Sequence, residues 1–277
     1  MQRALIAFFR CLPLWLPYGV MALVIPFYML FGKGFRTSYR FFRKRIGKGR
    51  IASFFHVWKN FYKMGQVVLD RFAAFAGKSF TMDVPEIQLF HDFNDRGAFI
   101  MLGSHIGCYE LAGYTLKSAK PIHTLVFPGE TQTVRENRKR IFDAMNIDMI
   151  SVSEDLSHVF AMNNALSAGE IVSIPGDRLF GSSKSVSCTF FNDKAPFPMG
   201  PFVLAAQRNV PLLQVSVMKE GLRRYRIYLS GISVPESGSV REKVQTMADA
   251  YASNLEQVVR RYPHQWFNFF DFWNERV

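Results

Sequence analysis

The chain has 277 residues, of which 49% are hydrophobic and 20% charged, a composition that excludes an intrinsically disordered protein. The net charge of +12 would suit a nucleic-acid-binding protein, but it is unevenly distributed. Residues 1–69 contain 12 Lys/Arg and no Asp or Glu, whereas residues 70–277 contain 22 basic and 22 acidic residues. A basic, Phe-rich N-terminus on a neutral body is typical of a membrane-surface anchor and disfavours a nucleic-acid partner.

The N-terminus contains 22 consecutive uncharged residues between Arg10 and Lys33. As a helix they would be about 33 Å long, enough to cross a hydrocarbon core of about 30 Å. Three prolines interrupt the segment, and proline kinks a helix because it removes a backbone hydrogen bond. The sequence therefore predicts a membrane anchor, either a transmembrane helix or a bent, half-inserted segment. A cleaved signal peptide does not fit, because a basic run follows instead of a cleavage site.

That basic run, residues 33–50, contains eight Lys/Arg. Basic flanks of hydrophobic segments stay cytoplasmic, so we expect the rest of the chain on the cytoplasmic face. Within the run, apolar residues recur at helical spacing and predict a helix lying on anionic lipid: Phe35, Tyr39, Phe42 and Ile46. The alternative is an ordinary basic flank with no interfacial helix.

The body of the chain alternates between short β-rich runs and helical stretches. We divide the chain into an anchor with its basic segment, 1–50, and a globular domain, 51–277. Strands are predicted at 98–102, 122–127, 148–153, 170–174, 211–218 and 225–233, and helices at 51–77, 107–118, 132–146, 155–168, 200–209 and 240–261. This alternation predicts an α/β fold with a mainly parallel sheet flanked by helices. Ligands bind beyond the carboxyl ends of such strands, so the loops after residues 102 and 174 are the first candidate sites.

The three cysteines, Cys11, Cys108 and Cys188, have neither zinc-binding spacing nor the pattern of a disulfide framework. They are consistent with a reducing compartment, and the sequence implies no metal and no redox cofactor. Cys108 lies three residues after His105, which leaves open a Cys–His nucleophile.

The run AFIMLGSHIGCYELAGY places His105 just after a predicted strand and Glu110 five residues later. Histidine suits deprotonation of a hydroxyl near neutral pH, and a carboxylate on its other nitrogen would orient it. The two side chains can meet only if His105 lies on the turn before a helix, a turn that Gly103 and Gly107 would permit. Amides opening that helix could stabilise an oxyanion. The alternative is a structural histidine at a helix start.

The segment GSHIGCYELAG resembles the first signature of the bacterial lipid A late acyltransferases, the lauroyl/myristoyl transferases within the wider His-x4-Asp/Glu glycerolipid acyltransferase group. The similarity runs from about residue 50 to 270 and includes the C-terminal PHQWFNFF. It implies a glycerolipid acyltransferase-like fold, His105 as the general base and Glu110 as its partner. It also implies a fatty acyl thioester donor, on acyl carrier protein or coenzyme A, and a lipid acceptor at the bacterial inner membrane. The chain departs from the family at Cys108-Tyr109, where Asn-Trp is common.

Further candidate residues surround this pair. Asp177 and Arg178 follow a predicted buried strand, and Arg178 suits phosphate or a phosphopantetheine group because its guanidinium donates in pairs. Gly103, Ser104, Gly107 and Gly200 are candidate substrate-binding positions, the last at a predicted helix start. A basic run could contact the carrier or a headgroup: Arg135, Arg138, Lys139 and Arg140. Alternatively, Asp177 and Arg178 form an ordinary surface turn, and the basic run is a solvated helix face.

These observations predict a membrane-associated acyltransferase that acts on a lipid A-type glycolipid precursor. Two alternatives remain. One is the same chemistry on another acceptor, such as an amino-acid lipid or a polyene-type lipid headgroup. The other is a non-catalytic membrane-associated binding protein, which the intact His/Glu and Asp/Arg pairs disfavour.

Overall fold

The structure is a computed structural model that describes residues 12–32, 34–126, 142, 145–152, 155, 157–179 and 184–273. Its α-helices are α1 (Trp15–Phe31), α2 (Phe35–Arg40), α3 (Arg50–Phe75), α4 (Ile87–Arg96), α5 (Ser157–Ser167), α6 (Gly200–Arg208) and α7 (Val240–Arg261). A π-helical turn, Phe41–Arg45, extends α2, and 3-10 turns span Tyr109–Tyr114 and Pro263–Gln265.

The central layer is a seven-stranded sheet in the order β1-β9-β8-β2-β5-β3-β4. Its strands are β1 (Thr81–Asp83), β2 (Phe99–Gly103), β3 (Ile122–Val126), β4 (Ile147–Ser151), β5 (Ile171–Pro175), β8 (Leu212–Lys219) and β9 (Arg224–Ile232). Neighbouring strands are parallel except for the antiparallel pair β8 and β9. A separate antiparallel hairpin consists of β6 (Ser185–Phe190) and β7 (Asp193–Pro198).

The central strands β2, β5 and β8 are buried on both faces, as strands of parallel sheets generally are. Alternate residues of β8 pack into two different hydrophobic cores, with Leu212 and Met218 on one side and Leu213 and Val215 on the other. All eight residues of β8 are buried. The predicted α/β fold with a mainly parallel sheet is therefore confirmed.

The predicted elements match the structure to within about two residues at the six strands and at α3, α5, α6 and α7. One prediction is wrong: residues 107–118 form no regular helix, only a 3-10 turn over Tyr109–Tyr114. Gly107, with φ +60°, and Gly113 lower helix propensity there, and the backbone N–H groups of Gly107 and Cys108 instead donate to the carbonyls of Gln265 and Val217. The helix predicted at 132–146 lies mostly outside the described residues.

The uncharged N-terminal segment forms α1, which has 17 residues and contains Pro26. One side, including Tyr18, Ile25 and Met29, is buried against the domain. In the part of the chain that the structure describes, no helix combines the length and apolar character needed to cross a membrane. The transmembrane helix that the sequence left open is thus not supported.

The apolar stripe that we predicted to lie on anionic lipid is buried against the protein instead. Phe42 is fully buried, and Phe35, Tyr39 and Ile46 pack against the main core. The stripe therefore faces the protein, because the helix that carries it packs on α3 and not on an open surface.

A buried polar cluster connects α1 to the sheet through hydrogen bonds. The Asp70 carboxylate accepts hydrogen bonds from the hydroxyls of Tyr18 and Tyr225 and from Lys219 Nζ at 2.5 Å. Lys219 Nζ also donates to Tyr18 Oη at 3.1 Å and to the Leu222 carbonyl at 3.0 Å. Asp70 and Lys219 are both almost fully buried. Burial lowers the pKa of Lys219, against the opposing effect of Asp70.

This cluster predicts that Asp70→Ala destabilises the fold by about 3–5 kcal/mol, because it leaves the Lys219 ammonium buried without its carboxylate. Urea unfolding measures the loss. The double variant Asp70→Leu/Lys219→Met removes both charges and should lose less than Asp70→Ala does. An equal or larger loss in the double variant would contradict the assignment of the cost to the unpaired charge.

Candidate active site

His105 and Asp177 meet at the carboxyl edge of the sheet because their strands are adjacent and in register. β2 and β5 are parallel, and Gly103 lies opposite Pro175. His105 and Asp177 each follow two residues after that pair, so the two loops leave the sheet side by side. The loops that the sequence selected as candidate sites therefore form one site.

The Asp177 carboxylate holds His105 through two hydrogen bonds. Asp177 Oδ1 lies 2.7 Å from His105 Nδ1, and Oδ2 accepts from the His105 backbone N–H, also at 2.7 Å. The Asp177 side chain is 1% exposed and that of His105 is 35% exposed. Because an ionised carboxylate only accepts, Nδ1 donates to it. Nε2 is thus the ring nitrogen left to exchange a proton with a bound molecule.

Glu110 does not take the place that we expected beside His105. Its Oε1 pairs with Arg71 Nη1 of α3 at 2.8 Å. Asp177, which the sequence suggested as a substrate-binding residue, occupies the position on the imidazole instead. The reason is local: without a regular helix after His105, the chain carries Glu110 toward α3.

The loop that bears His105 is fixed by backbone hydrogen bonds on both sides. The His105 carbonyl accepts from Phe267 N at 2.8 Å, Gly107 N donates to the Gln265 carbonyl at 2.9 Å, and Cys108 N donates to Val217 at 2.8 Å. A Cβ on Gly107 would lie 1.9 Å from the Val217 carbonyl oxygen, and φ is +60°. Only glycine permits the two backbones to come this close, so the conformation of the loop is fixed at this point.

A cavity of about 640 Å³ opens beside His105. Its size falls within the range of small-molecule sites. Most of its wall is apolar, contributed by Met64, Val67, Val68, Met101, Leu116, Ile122, Leu125, Phe142, Ile147 and Phe267. Polar groups lie in the wall as well: Arg71, Ser104, His105, Tyr109, Glu110, Thr124 and Ser173. A long apolar group with one reactive polar end matches this lining.

Tyr109 closes part of the cavity wall. Its hydroxyl lies 2.9 Å from Ser173 Oγ, and burial raises its pKa to about 12. A Cβ at Gly103 would come within 2.8 Å of the Tyr109 ring, so Gly103 has to be small. Cys108-Tyr109 is the position where the chain departs from the family. Tyr109 there shapes the cavity wall without touching the His105–Asp177 pair.

Arg178 has a different contact from the one expected. Its Nη2 donates to the Phe267 carbonyl at 2.9 Å, and its guanidinium lies 5.2 Å from the centre of the Phe270 ring. It does not line the cavity. Arg178 thus holds the C-terminal segment in place, beside the Phe267 amide that bonds to His105.

The remaining predicted site residues fall into three groups. Gly103, Ser104 and Gly107 line the cavity, whereas Gly200 begins α6 and does not. The Cys108 side chain is fully buried, and burial raises the pKa of its thiol well above the usual value, which opposes a nucleophilic thiolate. The basic residues Arg135, Arg138, Lys139 and Arg140 lie outside the described residues.

Sequence reasoning missed Arg71 and Phe267 as site residues. Arg71 ends a stripe on α3 whose other members, Met64, Val67 and Val68, also line the cavity. Their spacing of three, one and three residues places them on one helix face. A cation at the end of such an apolar face was the signal that could have identified Arg71 as a site residue. Phe267 carried no such signal, because only tertiary pairing brings it to His105.

Comparison with known families identifies the family of the chain. The family described as bacterial lipid A biosynthesis acyltransferase matches residues 65–275, which include His105, Glu110 and Asp177. A comparison with curated proteins finds no match. Because the family match covers most of the chain, the protein belongs to the bacterial lipid A biosynthesis acyltransferase family and is an acyltransferase.

Proposed function

We propose that the protein transfers a fatty acyl chain from a thioester, carried by acyl carrier protein or coenzyme A, to a lipid A-type acceptor. The family supports the reaction class and the acceptor class. The observation that carries the proposal is the His105–Asp177 pair beside the apolar cavity. No metal or redox cofactor takes part in the proposed reaction.

His105 acts as the general base in this mechanism. Nε2 takes the proton from the acceptor hydroxyl or amine, whose oxygen or nitrogen attacks the thioester carbonyl. The new C–O or C–N bond forms as the C–S bond breaks, and the thiolate receives the proton from the imidazolium. Asp177 keeps Nδ1 protonated and stabilises the imidazolium while it exists, as the third member of a catalytic triad does.

The acyl chain occupies the apolar part of the cavity. Each buried CH2 contributes about 0.8 kcal/mol, so a dry slot of this kind gives a fatty chain substantial binding energy. His105, Ser104 and Tyr109 lie in the same wall, which puts the thioester end of the chain beside the base.

Glu110 has a positioning role in this scheme. Its ion pair with Arg71 joins the His105 loop to α3 at the cavity wall. The pair is about one-third exposed on each side, so it can also meet the polar end of a bound substrate. This assignment replaces the His105–Glu110 contact implied by the family resemblance.

Three variants distinguish the two carboxylates. His105→Ala should lower acyl transfer by about 10²–10⁴-fold, the usual contribution of a general base. Asp177→Asn should cause a loss of similar size in kcat, because it removes the group that orients the base. Glu110→Gln should be milder and should mainly raise KM. The assay follows a radiolabelled acyl group from acyl carrier protein or coenzyme A to lipid.

Circular dichroism and melting temperature control for misfolding, since Asp177 is buried. If Glu110→Gln abolishes kcat while Asp177→Asn keeps it, the assignment of Asp177 to His105 is wrong. Mass spectrometry of lipids from cells with and without the protein identifies the acceptor. Loss of an acyl chain from an amino-acid lipid or a polyene-type headgroup would replace lipid A as the acceptor while keeping the chemistry.

The enzyme works at the cytoplasmic face of the bacterial inner membrane, in this proposal. The support is an exposed apolar stripe on α1, Val20, Leu23, Val24 and Phe27, with Leu23 74% and Phe27 65% exposed. The first turns of α3 add Ile51, Phe54 and Phe55. Large exposed apolar surfaces mark interaction sites, and the basic residues of 33–50 suit anionic lipid next to them.

The double variant Leu23→Ser/Phe27→Ser should weaken binding to vesicles of anionic phospholipid by at least about 100-fold, because each side chain contributes roughly 1.5–3 kcal/mol when buried in the hydrocarbon region. Vesicle flotation measures the partition.

A matched control, Phe160→Ser/Val240→Ser, removes one aromatic and one aliphatic side chain exposed on other helices. It should bind vesicles as the unmodified protein does. Equal binding by all three proteins would rule out α1 as the membrane contact.

A further inference from the structure

A second cavity lies on the other side of the segment that supports His105. It has a volume of about 430 Å³, and its wall includes Lys63, Glu220, Arg224, Arg261 and His264. Gln265 lines this cavity and Phe267 lines the catalytic one, so one stretch of backbone separates the two.

The charges around this second cavity are not balanced. Lys219 pairs with Asp70 at 2.5 Å, and Arg224 Nε lies 3.8 Å from Glu220 Oε2. Glu220 also accepts a hydrogen bond from the Tyr262 hydroxyl at 2.6 Å. Among the described residues, Lys63 and Arg261 have no carboxylate partner. Two cations thus face the cavity in excess of its acids.

Lys63 is half-buried, which makes its missing partner costly. Burial lowers the pKa of Lys63, and the nearby charge of Lys219 lowers it further, against the smaller opposing effect of Asp70. Arg261 is held by rings instead, with its guanidinium 5.4 Å from the centre of Tyr228 and 5.6 Å from that of Tyr262. His264 adds no charge at neutral pH, because burial lowers its pKa to about 4. An anion in the cavity would relieve this repulsion.

The position of the cavity indicates which anion it meets. Lys63 follows Phe55 by eight residues on α3, which is about 12 Å along the helix. Phe55 belongs to the exposed apolar surface of Ile51, Phe54 and Phe55. The cavity therefore lies about two helical turns along α3 from a surface suited to lipid chains.

We propose that this cavity binds the phosphate group of an anionic membrane lipid, at a site separate from the catalytic cavity. Lys63 and Arg261 supply the charge, and the guanidinium donates in pairs to phosphate oxygens. The phosphate site rests on the cavity residues alone, whereas its assignment to a membrane lipid rests on the membrane contact proposed above.

The first test uses inorganic phosphate on the full chain in detergent. Phosphate at about 100 times its dissociation constant should raise the melting temperature by about 5 °C. Lys63→Gln/Arg261→Gln should abolish the rise. Lys59→Gln/Arg260→Gln, which removes two neighbouring charges on the same helices, should keep it. Equal stabilisation of both double variants would overturn the site.

The second test uses phosphatidylcholine vesicles with and without phosphatidic acid. Phosphatidic acid should increase binding of the unmodified protein, and the Lys63/Arg261 double variant should lose at least about tenfold more of that increase than the matched control. Stabilisation by inorganic phosphate without this difference would overturn the lipid assignment and point to a soluble phosphate compound. His105→Ala should keep both responses, which separates this site from failure of the proposed acyl transfer.

Discussion

The register between β2 and β5 is the constraint on which the site depends. With Gly103 opposite Pro175, His105 and Asp177 emerge at the same level and share two hydrogen bonds of 2.7 Å. A slip of one residue would send every side chain of one strand to the other face, and a slip of two would separate the pair by about 7 Å. The buried residues on both faces of these strands forbid either slip. The same packing that stabilises the sheet therefore sets the geometry of the base.

The strands were predictable because their signal is local. Short β-branched and apolar runs, such as 171–175, can be recognised without knowing their neighbours. The partner of His105 was not local. Five residues of separation suggested Glu110, but that inference assumed a regular helix after His105, and the Gly107 backbone instead bonds across to Gln265. Asp177 is 72 residues away in sequence, and only the adjacency of β2 and β5 identifies it. Both loops were nevertheless selected correctly, since carboxyl ends of parallel strands meet at one edge.

The positive charge of the N-terminal quarter falls into two groups. Around residues 35–45 the apolar stripe packs inward, with Phe42 in the core, and basic side chains pair with acids of the domain, Arg45 with Asp193 at 2.9 Å and Arg40 with Asp271 at 4.0 Å. Lys63 belongs to the same basic quarter but points into a cavity with Arg261, which comes from the other end of the chain. The net charge calculated from the sequence does not distinguish these two groups of cations. Tertiary structure separates cations that pair with acids of the domain from those that line a concave cavity, for which we propose a phosphate ligand.

The cluster around Asp70 connects the surface of α1 to the catalytic edge. Tyr18 lies on α1, Asp70 precedes Arg71 on α3, Lys219 ends β8 and Tyr225 lies on β9, so one buried carboxylate links four elements. Arg71 then pairs with Glu110, which extends the link to the loop of His105. The apolar face of α1 and the opening beside His105 thus keep a fixed relation, because α1 cannot move alone without breaking the buried hydrogen bonds of Tyr18 to Asp70 and Lys219. In the proposed transfer to a lipid acceptor, that rigidity would fix the position of His105 relative to the exposed apolar face of α1.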